Sequence, residues 1–139
     1  MMFPMDRDKL RAMYREAWAK HRDAAVMSPL ESQIARVVSE HPEYQPDIES
    51  AEEEQAYQPE DGQTNPFLHM GMHLAIREQV ATNRPPGINA IFSALATRLG
   101  DPLAAEHAMM EALGQTLWEA QRNQSLPDDS AYLERLRRL

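Results

Sequence analysis

The chain has 139 residues, a length that suits one domain with one hydrophobic core. Hydrophobic residues make up 42% of the sequence and aromatic residues 6%, so a globular interior would be filled mainly by aliphatic side chains and methionine. The absence of cysteine excludes disulfides, thiolate metal sites and cysteine nucleophiles, and a net charge of −8 argues against direct binding of nucleic acid.

The negative charge is concentrated in one segment of the chain. Residues 37–76 contain nine acidic residues and no Lys or Arg, whereas the other thirteen acids are balanced by all 14 basic residues. No apolar run is long enough to span a membrane, and the N-terminal residues lack the pattern of a secretory signal peptide. We therefore expect a cytoplasmic protein that does not enter a membrane.

Two helices are predicted before this acidic segment. The first runs from about Asp6 to Asp23, and its apolar residues recur at helical spacing. This predicted apolar stripe consists of Leu10, Met13, Tyr14, Ala17 and Trp18. The second helix begins at Ser28-Pro29-Leu30-Glu31, which has the pattern of a capping box, and is predicted to end near His41.

A long acidic connection, residues 40–61, follows the second helix. It is either a solvated loop or a partly ordered segment with a short helix between Asp47 and Tyr57. Beyond it, four helices are predicted from their caps and prolines: Pro66 to about Thr82, Ile88 to Leu99, Pro102 to about Asn123, and Ser130 to Leu139. The prediction is an all-α fold with five or six helices in a compact, bundle-like single domain, residues 1–139.

Two of the predicted helices each carry a pair of metal-ligand residues one turn apart. His69 pairs with His73 on the third helix, and His107 pairs with Glu111 on the fifth. The histidines fall within apolar stripes, where a polar group without a partner is costly to bury. On the fifth helix this predicted stripe contains Leu103, His107, Met110, Gly114 and Leu117, whereas Glu106 is expected to face solvent.

These four residues are the predicted ligands of one mononuclear ion, for which Zn, Fe or Mn would suit a shell of nitrogen and oxygen. The alternative is a polar core without metal, in which the histidines bond Glu111, a carbonyl or a hydroxyl. The turn His41-Pro42-Glu43-Tyr44 is open to two interpretations as well. Either it stops the second helix, or it folds over the site and donates a further ligand.

The sequence supports two hypotheses for function. The first is a metal-binding helical protein, and the alternative is a metal-free interaction or adaptor protein that docks a basic partner through residues 40–61. No phosphate-binding loop, serine elbow or His-Glu-x-x-His motif is present. Whether the chain is an enzyme stays open.

Several stretches resemble one family of small bacterial proteins. They include Gly62-Gln63-Thr64-Asn65-Pro66-Phe67-Leu68-His69, Met72-His73-Leu74, Glu40-His41-Pro42-Glu43-Tyr44, Arg84-Pro85-Pro86-Gly87-Ile88, His107 to Glu111 with Leu113-Gly114, and Trp118 to Arg122. The family is known only as a domain of unknown function, number eighteen-forty-one in that series. The resemblance spans nearly the whole chain and implies a compact, helical, cytoplasmic protein. It assigns no catalytic residues.

Overall fold

The computed structural model of the protein describes residues 7–49 and 65–139, and these residues form an all-α structure. Seven α-helices occur within the described ranges, with no strand among them. They are α1 (Arg7–Arg22), α2 (Pro29–Ser39), α3 (Gln45–Glu49), α4 (Pro66–Thr82), α5 (Ile88–Leu99), α6 (Pro102–Arg122) and α7 (Asp129–Arg137). A short 3-10 turn, Pro42–Tyr44, joins α2 to α3.

The helix count exceeds the predicted five or six because α3 forms directly after this 3-10 turn. The predicted short helix began at Asp47, whereas α3 begins two residues earlier. Its side chain Ile48 is 2% exposed, so the apolar contact needed to stabilise so short a helix is present. The rest of the acidic connection, including Tyr57, lies outside the described residues.

The other helices begin where local chemistry predicts. At the start of α2, the Glu31 amide donates to Ser28 Oγ at 3.1 Å, and the Ser28 amide donates to Glu31 Oε1 at 2.9 Å. This reciprocal pair is the capping box predicted from the sequence. Asp101 caps α6 in a similar way, accepting from the Leu103 amide at 3.0 Å.

The described residues fall into two compact units, which divide between Leu74 and Ala75. In the first, α1 packs against α2 and α3. The core of this unit includes Tyr14, Ala17, Trp18, Ile34, Val37, Val38, Ile48, Phe67 and Met70. The predicted stripe of α1 therefore does face a core, and Trp18 Nε1 also donates to Glu49 Oε2 at 2.9 Å.

In the second unit, α5, α6 and α7 pack against one another. Arg135 of α7 donates to Thr116 Oγ1 at 2.9 Å and to the Glu119 carboxylate, which ties α7 to α6. The Tyr132 hydroxyl donates to Gln79 Oε1 at 2.7 Å. Burial raises the pKa of Tyr132, so this hydroxyl stays protonated and remains a donor.

The buried face of α6 differs from the predicted one. Leu117 is 45% exposed and His107 is exposed, although both were placed in the predicted apolar stripe. The residues that are buried instead are Ala105, Glu106, Met109, Met110, Ala112, Leu113, Thr116 and Ala120. Half of these eight side chains are small, and they permit close packing that a search for large apolar residues does not detect.

Glu106 was expected to face solvent, and this prediction was wrong. The residue is 6% exposed, and Arg77 Nε lies 3.2 Å and 3.0 Å from its two carboxylate oxygens. Arg77 Nη2 adds a further donor at 3.1 Å to Oε1. A carboxylate can be buried here because several charge-assisted hydrogen bonds replace its hydration.

No described helix is sufficiently long and apolar to cross a membrane. The organisation as one helical domain over residues 1–139 stays a prediction.

The buried Arg77–Glu106 pair generates a stability prediction. Glu106→Gln removes the negative charge that compensates a largely buried guanidinium, so we expect a loss of about 2–3 kcal/mol in the free energy of unfolding. The control is Glu134→Gln, which breaks an ion pair with Arg138. The side chain of Glu134 is 58% exposed and that of Arg138 is 75% exposed. That change is expected to cost about 0.5 kcal/mol or less. Urea denaturation followed by circular dichroism measures both, and equal losses would contradict the account.

Candidate metal centre

The first two histidines of the candidate site stand on one face of α4. Asn65 begins this helix, accepting from the Phe67 and Leu68 amides at 3.0 Å and 3.2 Å. Because His69 and His73 are four residues apart on α4, their side chains project on the same side. Their Nε2 atoms lie 3.2 Å from each other.

His41 approaches the same two rings from the end of α2. Its ring centroid is 4.7 Å from that of His73 and 5.2 Å from that of His69. His41 Nδ1 lies 2.8 Å from the carbonyl oxygen of Val37. Since a carbonyl only accepts hydrogen bonds, Nδ1 carries the proton, and Nε2 holds the lone pair that can bind a cation.

This bond to a backbone carbonyl is the arrangement that commonly supports a metal-binding histidine. Donation from the second ring nitrogen fixes the tautomer, orients the ring and raises the basicity of the ligating nitrogen. The Val37 carbonyl is available because it belongs to the last turn of α2, where carbonyls lack an intrahelical donor. The end of α2 therefore both positions the ring of His41 and fixes its tautomer.

Tyr44 forms an aromatic wall beside these imidazoles. Its ring stacks on His41 at 5.6 Å with an interplanar angle of 8°, and meets His69 edge-on at 5.6 Å. Burial raises the pKa of Tyr44, and the carboxylates of Glu43 and Asp47 raise it further. The hydroxyl therefore stays protonated near neutral pH, so Tyr44 encloses the imidazoles without supplying a phenolate.

His41, His69 and His73 therefore form a histidine group. One ligand nitrogen from each of the three lies within 4.8 Å of the others, and such a group can hold a metal ion. His73 is 0% and His41 2% exposed, and His69 is half-buried.

The spacing of the nitrogens fits a coordination shell. Two imidazole nitrogens that each lie about 2.0–2.1 Å from a tetrahedral ion are separated from each other by about 3.3 Å. The observed 3.2 Å between the Nε2 atoms of His69 and His73 is close to that value. A hydrogen bond between the same two atoms, with one proton shared, is the metal-free alternative.

Two of the four residues predicted as ligands, His69 and His73, belong to the histidine group. The other two, His107 and Glu111, are exposed on α6, and their roles as ligands stay predictions. His41, which directly precedes the 3-10 turn, also belongs to the group, and its role as a further ligand stays a prediction.

Comparison with known proteins identifies the family. No curated protein and no solved structure matches the chain. One family, described as a domain of unknown function (DUF1841), matches residues 6–138. This match covers nearly the whole chain and confirms the resemblance seen in the sequence. The chain belongs to the DUF1841 family.

Proposed function

We propose that this protein binds one transition-metal ion through His41, His69 and His73. The observation that carries the proposal is the group of three histidine nitrogens within 4.8 Å of one another. Imidazole is the commonest metal ligand in proteins, and three imidazoles with a fourth ligand complete a tetrahedral shell. The sequence predicts His107 and Glu111 as further ligands, and both roles stay predictions.

The arrangement of the three imidazoles suits a cation. The Nε2 atoms of His69 and His73 face each other at 3.2 Å, a contact that one shared proton also satisfies. The Val37 carbonyl holds the third imidazole, His41, in the tautomer that a metal-binding histidine commonly has. One ion can be bound by a nitrogen from each of the three rings.

The donor set narrows the identity of the ion. Neutral imidazoles suit Zn, Cu, Fe and Ni, whereas Mn favours carboxylate, carbonyl and water oxygens. Of the ions expected from the sequence, Zn and Fe remain and Mn becomes the poorest candidate. Three protein ligands leave an open coordination position at which the ion can activate water, whereas a fourth protein ligand would give a closed structural site.

Metal content tests the proposal directly. We expect the protein, purified without chelator, to carry about one equivalent of transition metal per chain. His69→Ala and His73→Ala should each reduce this content at least about tenfold, because each removes a ligand. Elemental analysis by plasma mass spectrometry provides the measurement, and circular dichroism verifies that each variant folds.

His21→Ala is the matched control for this experiment. His21 is an exposed histidine on α1 that stacks on Trp18, and it is not a member of the histidine group. Its substitution should leave the metal content unchanged. A folded wild-type protein without transition metal, both as purified and after incubation with Zn, would refute the proposal, as would equal losses in His21→Ala and His69→Ala.

Thermal unfolding gives an independent test. An ion that binds only the folded state stabilises it by about 2.7 kcal/mol at a free concentration of one hundred times Kd. Removal of the ion by a chelator should therefore lower Tm, and added Zn should restore it. Calorimetry of wild type and His73→Ala tests this, because neither the chelator nor Zn should change the Tm of the variant. A wild-type Tm that does not respond to chelator or Zn would contradict a metal site coupled to folding.

A second candidate function rests on charge alone. Nine acids and no Lys or Arg lie between positions 37 and 76, a composition suited to docking a basic protein surface. For such an adaptor, Tm would be indifferent to chelator, and partner binding would weaken when Glu52, Glu53 and Glu54 are replaced by Gln. Unchanged binding of a basic partner by that variant would count against the second candidate.

A further inference from the structure

A groove in the second unit has the composition of a ligand site. It lies along α5 and α7 and encloses about 520 Å³. Its apolar lining includes Ile91, Ala94, Leu95 and Leu136, of which Leu95 and Leu136 are 5% and 2% exposed. Pockets for small molecules commonly measure about 300–1,000 Å³ and combine an apolar lining with a few placed polar groups.

The charged residues of the groove are all cationic. Arg98 contributes from α5, Arg137 from the end of α7 and Arg138 from the position directly after it, while the described lining contains no Asp or Glu. The charge of the groove is therefore opposite to that of the chain as a whole, which carries a net charge of −8. An apolar floor beneath guanidinium groups is complementary to a molecule with a hydrocarbon body and an anionic head.

The arginines keep donors for such a ligand. Arg98 Nη2 donates to the carbonyl oxygen of Leu139, which uses one of the five N–H donors of its guanidinium. Arg138 lies 3.3 Å from Glu134 with both side chains largely exposed, so that this pair is weak and easily exchanged for another anion. Arg137 is exposed at the same end of α7.

We propose that the groove between α5 and α7 binds a small amphipathic carboxylate, with its alkyl body on Ile91 and Ala94 and its head group at Arg98 and Arg137. The proposal is independent of the metal centre. The volume is that of a small-molecule site, and the cations stand beside the apolar floor rather than along an extended surface. The competing explanation is that these arginines only compensate the dipoles of the helix C-termini.

Calorimetric titration of the whole chain with decanoate tests the proposal. Decanoate should bind saturably, whereas decanol, which has the same tail without charge, and acetate, which has the charge without the tail, should each bind at least about tenfold more weakly. Amide chemical shifts in heteronuclear NMR spectra should change at Ala94 and Arg98. Arg98→Gln and Arg137→Gln should each weaken decanoate binding about tenfold.

Two surface variants of α5 form a matched pair for the same titration. Ala94→Glu places a carboxylate in the groove lining, and Ser93→Glu adds the same charge at an exposed neighbouring position outside that lining. Neither alters a buried residue, so both should fold. We expect Ala94→Glu to weaken decanoate binding at least about tenfold and Ser93→Glu to leave it nearly unchanged.

Three results would overturn the proposal. They are the absence of saturable decanoate binding, equal affinity for decanoate and decanol, and equal weakening by Ser93→Glu and Ala94→Glu. The first would leave the arginines with the helix-dipole role alone.

Discussion

The Nε2 atoms of His69 and His73 face each other at 3.2 Å on one side of α4, and the rest of the candidate site depends on this contact. Two neutral imidazoles cannot both present a lone pair at that separation without a proton or a cation between them. Because His73 is 0% exposed, bulk water does not supply a hydrogen bond to that ring. The helix thus holds two nitrogen donors in a geometry that either a hydrogen bond or a metal ion must complete.

The surroundings of this pair favour coordination chemistry. The carbonyl oxygen of Val37 sets the tautomer of His41, and Tyr44 stacks on the outer face of that ring. Both contacts orient an imidazole without occupying the nitrogen that points toward the pair on α4. A short 3-10 turn after α2 brings these residues together, so the site depends on how the chain turns at Pro42.

Local patterns predicted the helices well because their termini are encoded by neighbouring residues. The capping box of Ser28 and Glu31, and the Asp101 cap of α6, required no knowledge of distant contacts. The pairing of His69 with His73 was predictable for the same reason, since helical spacing alone aligns them. The family match shows to which family the chain belongs, and it assigns no activity.

The predictions of which residues are buried failed where a contact with a residue distant in sequence decides the burial. Glu106 is buried because Arg77, 29 residues earlier, neutralises its charge, and no local pattern reports such a pair. The buried face of α6 is rich in alanine, which periodicity of large apolar residues underestimates. His41 could be assigned to the site only once the path of the chain after α2 was known. Its position directly before a proline was the one sign in the sequence that the chain turns there.

X-ray absorption at the edge of the bound metal tests the central claim most directly, because it reports the ligands of the ion itself. We expect a first shell of nitrogen neighbours at about 2.0–2.1 Å, with the outer-shell scattering that imidazole rings produce. That scattering should decrease in His69→Ala relative to His21→Ala. A shell of oxygen neighbours without imidazole scattering, or a fully folded protein that takes up no metal, would contradict the account.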